Sequence, residues 1–145
     1  MTTDSSTDFN ALRRQAELYG LSGRELLDRP DAELAGICNG IGAQWMDGVS
    51  VCGVTLTDFF NSLWPNWIVC SAIHDVRYSA GGDEKARERA DEEFRDNCIR
   101  VVSAQYGVLD IRRWRGWWEA RAAYKALRRF GKKAFHFRGE GQADD

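Results

Sequence analysis

Two stretches of helical character meet at Gly81-Gly82, and that junction constrains the chain more than any other feature. From Trp67 to Ser79, and again from Asp83 to about Tyr106, no proline interrupts the run, and Gly107 closes the second stretch. Residues 80–83 are too short a connection to carry the chain around a third element, so the two helices must be antiparallel neighbours. Asp83 suits an N-cap for the second of them. A further segment, Ile111 to Phe130, is rich in alanine and arginine and also reads as helix. The expected fold class is therefore mainly α.

The remaining segments are shorter. Phe9, Leu12, Ala16 and Tyr19 recur at helical spacing, and Gly20 and Gly23 break that helix. A short helix should run from Asp31, after Pro30, to about Ile37. Cys38-Asn39-Gly40-Ile41-Gly42 is too rich in glycine to continue it. Residues 43–66 are the least regular part, and the VSVCGVTL run within them allows a brief hairpin. With 145 residues, 43% of them hydrophobic, the chain fits one domain over 1–145, with flexible tails expected at 1–8 and 139–145. No run approaches the roughly 18 apolar residues that a membrane span needs. The opening MTTDSSTDFN has neither a basic nor an apolar signal region, so no secretory signal is expected. That leaves a cytoplasmic setting, export by another route and association with a virion all open.

The first core helix carries Cys70, His74 and Tyr78 in one line at i−4, i and i+4. Asp75 projects about 100° away, so adjacent His and Asp side chains serve different places. On the second helix the apolar stripe is Ala90, Phe94, Cys98, Val101 and Val102, and Asp91 sits on its edge. Glu92, Glu93 and Asp96 fall on the wet side. A carboxylate at the edge of a core needs a partner, because burying an unpaired charge is costly. His74 is the expected one. A lone helical histidine is more often structural than catalytic; the convergence of His74, Asp75, Tyr78 and Asp91 shifts the balance toward a site. Gly40 and Gly42 at alternate positions let the backbone turn several carbonyl oxygens inward, the ligand type a hard cation such as calcium takes.

Charge is strongly polarised along the chain. Between Arg112 and Arg138 ten Lys/Arg face one acid, Glu119, although the whole chain carries −2. Such a segment calls for an anionic partner, either lipid or nucleic acid. On the last helix Ala120, Ala123, Leu127, Phe130 and, beyond it, Ala134 are expected to pack on the core. Trp114, Trp118, Arg121, Lys125 and Arg128 are expected on the opposite face, as a membrane-binding stripe. The alternative is that Trp114, Trp117 and Trp118 fold back on the core. Four widely spaced cysteines and two histidines form no zinc-like pattern.

Three of these motifs together resemble the phospholipase A2 superfamily, in particular its short prokaryotic and viral branches. CNGIG (38–42) resembles the calcium loop, HDVRY (74–78) the active-site helix, and ADEEF (90–94) the partner helix. The resemblance implies a phospholipase A2-like fold and calcium-dependent hydrolysis of the sn-2 ester of glycerophospholipids at a membrane interface. It implies His74 as general base, Asp91 holding the imidazole, and Tyr78 hydrogen-bonded to Asp91. It implies Ca²⁺ bound by Asp75 and by the carbonyls of Cys38, Gly40 and Gly42. Cys70 and Cys98 lie on the His74 and Asp91 faces, which leaves a Cys70–Cys98 bridge open, with Cys38–Cys52 the remaining pair. The expected partner is an anionic phospholipid surface and the expected state a monomer. The alternatives are a catalytically idle relative that binds lipid or protein, and a basic nucleic-acid-binding protein.

Overall fold

The computed structural model describes residues 8–38, 50–51, 54–55 and 67–138. Helix α1 spans Phe9–Leu18 and is followed by a 3₁₀ turn, Arg24–Leu27, and helix α2, Asp31–Cys38. A two-residue antiparallel ladder pairs Ser50 with Thr55 and Val51 with Val54, strands β1 (Ser50–Val51) and β2 (Val54–Thr55). Helices α3 (Ile68–Ala80), α4 (Glu84–Gln105) and α5 (Ile111–Phe130) follow, and a second 3₁₀ turn, Gly131–Ala134, ends the helical part. The chain is mainly helical, and none of the described helices is long and apolar enough to cross a membrane. The Gly40 and Gly42 loop, the rest of 43–66 and the tails 1–7 and 139–145 lie outside the described residues.

Aspartate caps the N-termini of α1, α4 and α5. Asp8, Asp83 and Asp110 accept hydrogen bonds from the backbone N–H of Ala11, Ala86 and Arg112 at 3.1, 2.8 and 2.9 Å. Each satisfies an N–H that the first turn leaves without an intrahelical acceptor. Asp8, expected in the N-terminal tail, is thus the N-cap of α1.

Helices α3 and α4 form the expected antiparallel hairpin, and α5 folds back along α4. The core joins Leu12 and Ala16 of α1, Leu21, Leu27 and Leu34 to Val69, Ile73 and Val76 of α3, to Cys98, Val101 and Val102 of α4, and to Ala120 of α5. The N-terminal unit is locked to α4 by polar contacts the sequence did not signal. The buried Asn97 side chain accepts from Ser22 N–H and donates to Ser22 C=O, both at 2.9 Å. Glu93, expected on the wet side, instead takes Arg77 at 3.1 Å through two nitrogens and the Ser22 hydroxyl at 2.9 Å.

The α3–α4 turn depends on glycine. Gly81 has φ +70°, and a Cβ there would lie 1.9 Å from the carbonyl oxygen of His136. That close approach comes from the segment after α5. Gly82 N–H donates to His136 C=O at 3.0 Å, Arg138 N–H to Gly82 C=O at 3.0 Å, and His136 N–H to Tyr78 C=O at 3.3 Å. The strap so formed seats Phe135 edge-on against Tyr78, with ring centroids 5.1 Å apart.

Candidate active site

The hairpin brings His74 of α3 opposite Asp91 of α4. His74 Nε2 lies 2.8 Å from Asp91 Oδ1, and the Tyr78 hydroxyl donates to the same oxygen at 2.5 Å. Asp91 is wholly buried, and His74 and Tyr78 are nearly so. The stacking of Cys70, His74 and Tyr78 along one line of α3 is what lets two of them reach one carboxylate. The His74 ring lies 4.1 Å from Tyr78 and 5.3 Å from Phe94, centroid to centroid, which fixes its plane.

Two arginines complete the arrangement, and sequence reasoning missed this role for both. Arg128 Nη1 donates to Asp91 Oδ2 at 3.0 Å, and its other nitrogen pairs with Glu84. Arg128 was expected among the membrane-facing residues. It lies at the edge of that stripe in the last turn of α5, and a long guanidinium side chain reaches from there to the buried carboxylate. Arg87 Nη1 is 3.7 Å from Asp91 Oδ2, and its guanidinium donates to Glu84 and to the carbonyls of Leu127 (3.2 Å) and Arg128 (3.3 Å). It thereby binds the last turn of α5, where Leu127 C=O also accepts from Gly131 N–H. Arg87 precedes Asp91 by four residues on one helix, and that spacing was the available signal. No comparable signal marked Arg128, which stands 37 residues from Asp91.

The electrostatics follow from these partners. Burial acts to raise the Asp91 pKa. Hydrogen bonds from His74 and Tyr78, the charge of His74 and the bond from Arg128 outweigh it and hold the carboxyl below its ordinary range. Burial, then the hydrogen bond to Asp91 and its negative charge, pushes the Tyr78 phenol well above its ordinary value. Tyr78 is therefore a hydrogen-bond donor here and not a base. An ionised Asp91 can only accept, so Nε2 of His74 carries a hydrogen, and in the neutral form of the ring the lone pair is on Nδ1.

Asp75 has the opposite environment. Burial pushes its pKa up to about 7, and none of the described side chains pairs with it. Its charge is felt at Cys38, whose thiol is pushed up to about 11 by burial first and by Asp75 second. The end of α2 therefore sits beside Asp75, close to where the glycine loop begins. Cys38 is the last residue of α2, so its carbonyl lacks an intrahelical donor and lies at the negative end of the helix. Among the described residues no three His, Cys, Asp or Glu side chains converge on one point. Of the expected calcium ligands, the described residues hold two, Asp75, without a charged side-chain partner among them, and Cys38 at the end of α2. Gly40 and Gly42 lie outside the described residues.

The thiols of Cys70 and Cys98 are neighbours, both wholly buried. The bridge left open for them is a pair of free thiols, and Cys38 is free as well. Burial, together with Cys70, raises the Cys98 pKa well above its ordinary value, so it is a poor nucleophile.

On α5 the exposed and buried faces divide largely as expected. Trp114, Trp118, Arg121 and Lys125 are exposed, while Ala120, Ala123 and Leu127 are buried, as is Ala134 just beyond the helix. Trp117 packs against the core and donates its indole N–H to Ser103 Oγ at 2.9 Å. Phe130, expected in the core, is exposed. Its neighbour Gly131 is buried, against the Tyr78 hydroxyl, so the chain turns inward only after Phe130.

No family model matches the chain, and no curated protein or solved structure is significantly similar to it. The functional reading rests on the residues themselves.

Proposed function

We propose that the protein is a calcium-dependent esterase that cleaves the sn-2 ester of glycerophospholipids, with water as the nucleophile. The observation that carries this reading is the contact of His74 Nε2 with Asp91 Oδ1 at 2.8 Å, beside a carboxylate, Asp75, left without a counter-ion among the described residues.

In this reading His74 Nδ1 takes a proton from a water molecule as the water oxygen bonds to the ester carbon. The imidazolium formed is stabilised by Asp91, which stays ionised. When the bond from the ester carbon to the leaving oxygen breaks, that oxygen takes the proton back from Nδ1. Tyr78 and Arg128 hold the two oxygens of Asp91, and so keep the ring in one tautomer and orientation. Phe94 and Tyr78 limit the water that reaches the ring. Asp75 and the carbonyls of Cys38, Gly40 and Gly42 would hold calcium. When bound, the ion supplies positive charge for the lipid phosphate and for the ester oxygen as it becomes negative.

Fluorogenic sn-2 ester hydrolysis, with calcium and with EGTA, tests the proposal in wild type and His74→Gln. Turnover should need calcium and fall at least about 10³-fold in the variant. Turnover indifferent to EGTA or to the substitution would remove the reading.

A further inference from the structure

The α4–α5 turn is apolar where a solvated turn ordinarily is not. Leu109 is 100% exposed, Ile111 79% and Val108 62%, and Trp118 at 72% and Trp114 at 49% continue the patch onto α5. The turn is nevertheless built firmly. Asp110 caps α5, its N–H donates to Gly107 C=O at 3.0 Å, and the Trp114 indole donates to Val108 C=O at 3.0 Å. These side chains are thus held outward by a rigid tip.

Basic residues continue the patch along the helix. From 104 to 125 five Lys/Arg stand against two acids, and those two, Asp110 and Glu119, pair with Arg112 and Arg115. Arg121 and Lys125 are exposed one and two turns beyond Trp118, on the same face. Along the exposed face of α5 the aliphatic and indole side chains come first and the unpaired cations Arg121 and Lys125 last, with Arg115, neutralised by Glu119, between the two tryptophans. A bilayer presents the complementary sequence in depth: hydrocarbon, interface, phosphate. Nucleic acid would match the cations and the indoles but has no use for three bare aliphatic side chains at the tip.

We infer that the α4–α5 turn and the exposed face of α5 form a docking surface for an anionic phospholipid membrane. Val108, Leu109 and Ile111 enter the acyl region, Trp114 and Trp118 sit at the headgroups, and Arg121 and Lys125 meet phosphates. The surface is separate from the dyad: Asp91 and Tyr106 are fifteen residues apart on one helical run, about 22 Å at 1.5 Å each. The inference goes beyond the hydrolytic reading and stands without it, because binding is measured without turnover.

The test is co-sedimentation of the full chain with phosphatidylcholine vesicles containing phosphatidylglycerol, in EGTA so that no metal takes part. Wild type should bind, with affinity falling as salt rises. Leu109→Asp/Ile111→Asp should weaken partitioning at least tenfold, and Arg121→Gln/Lys125→Gln about fivefold per charge, only where anionic lipid is present. Circular dichroism and the thermal midpoint of both variants should match wild type, since all four residues are exposed. Wild type that fails to bind vesicles overturns the inference. So does binding untouched by the tip substitutions, or a concentration-dependent dimer abolished by Leu109→Asp/Ile111→Asp. Tighter binding to a DNA oligonucleotide than to the vesicles overturns it as well.

Discussion

Asp75→Asn should make the metal-free protein more stable, and only at pH values where Asp75 is ionised in the unfolded chain. Burial raises its pKa from an ordinary 3.8 to about 7. The sign is the reverse of a paired carboxylate. Below pH 4 the group is protonated in both folded and unfolded chains and contributes nothing. Between pH 4 and 7 the unfolded chain releases the proton while the folded one keeps it, so stability falls as pH rises. Above 7 both are ionised and the penalty is complete, at most about 4 kcal/mol and nearer 2 kcal/mol where solvent still reaches the half-buried side chain. Asparagine has nearly the same shape and no charge to desolvate.

Urea denaturation of both proteins in EGTA, at pH 4, 6 and 8, measures the difference directly. The variant should gain about 2–4 kcal/mol relative to wild type between pH 4 and 8. Other titrating groups, Asp91 and Glu84 among them, cancel in that comparison because both chains carry them. A difference independent of pH would show that Asp75 is ordinary and ionised without cost. The idea that a cation is needed there would then lose its physical basis.

Three further outcomes follow from the same geometry. Apparent calcium affinity of wild type, by calorimetry, should fall about tenfold from pH 8 to pH 6 as Asp75 takes up its proton, with Asp75→Asn showing no binding. Arg128→Ala should cost about 1–2 kcal/mol in urea denaturation, because Arg87 still stands 3.7 Å from the buried Asp91, and should lower kcat more than it changes KM; Arg128→Lys should recover part of both. Gly81→Ala should cost about 2–4 kcal/mol of thermal stability, against about 1 kcal/mol for Gly20→Ala. Both have positive φ, but only Gly81 faces a backbone oxygen where the Cβ would go.

Local pattern made the helices and the dyad legible. Periodicity and the Gly81-Gly82 break determine α3, α4 and their antiparallel pairing, and i, i+4 spacing then delivers His74 and Tyr78 to one oxygen of Asp91. What stayed hidden depends on distant packing. Arg128 reaches Asp91 only because α5 returns along α4 and ends level with Glu84, a register no local pattern encodes. Phe130 has core periodicity, yet it is exposed, and Gly131 beside it is the residue that packs inward on Tyr78. The strap from His136 to Gly82 is made by backbone groups, which leave almost no signature in side-chain identity.

The contrast between the two aspartates is the strongest argument that this arrangement has chemistry to perform. Asp91 has a hydrogen bond from His74, another from Tyr78 and charge from two guanidiniums, and its carboxyl is held ionised below its ordinary range. Asp75, sixteen residues earlier and next to the same histidine, has burial without a described partner, and its carboxyl is pushed to about 7. A chain shaped for stability alone would replace Asp75 with a neutral residue or pair it, since several arginines stand within the same hairpin. Environments that drive two neighbouring carboxyls apart mark sites where the two have different work. In the proposed reading one orients a base, and the other carries a charge that no described side chain balances and that a bound cation would.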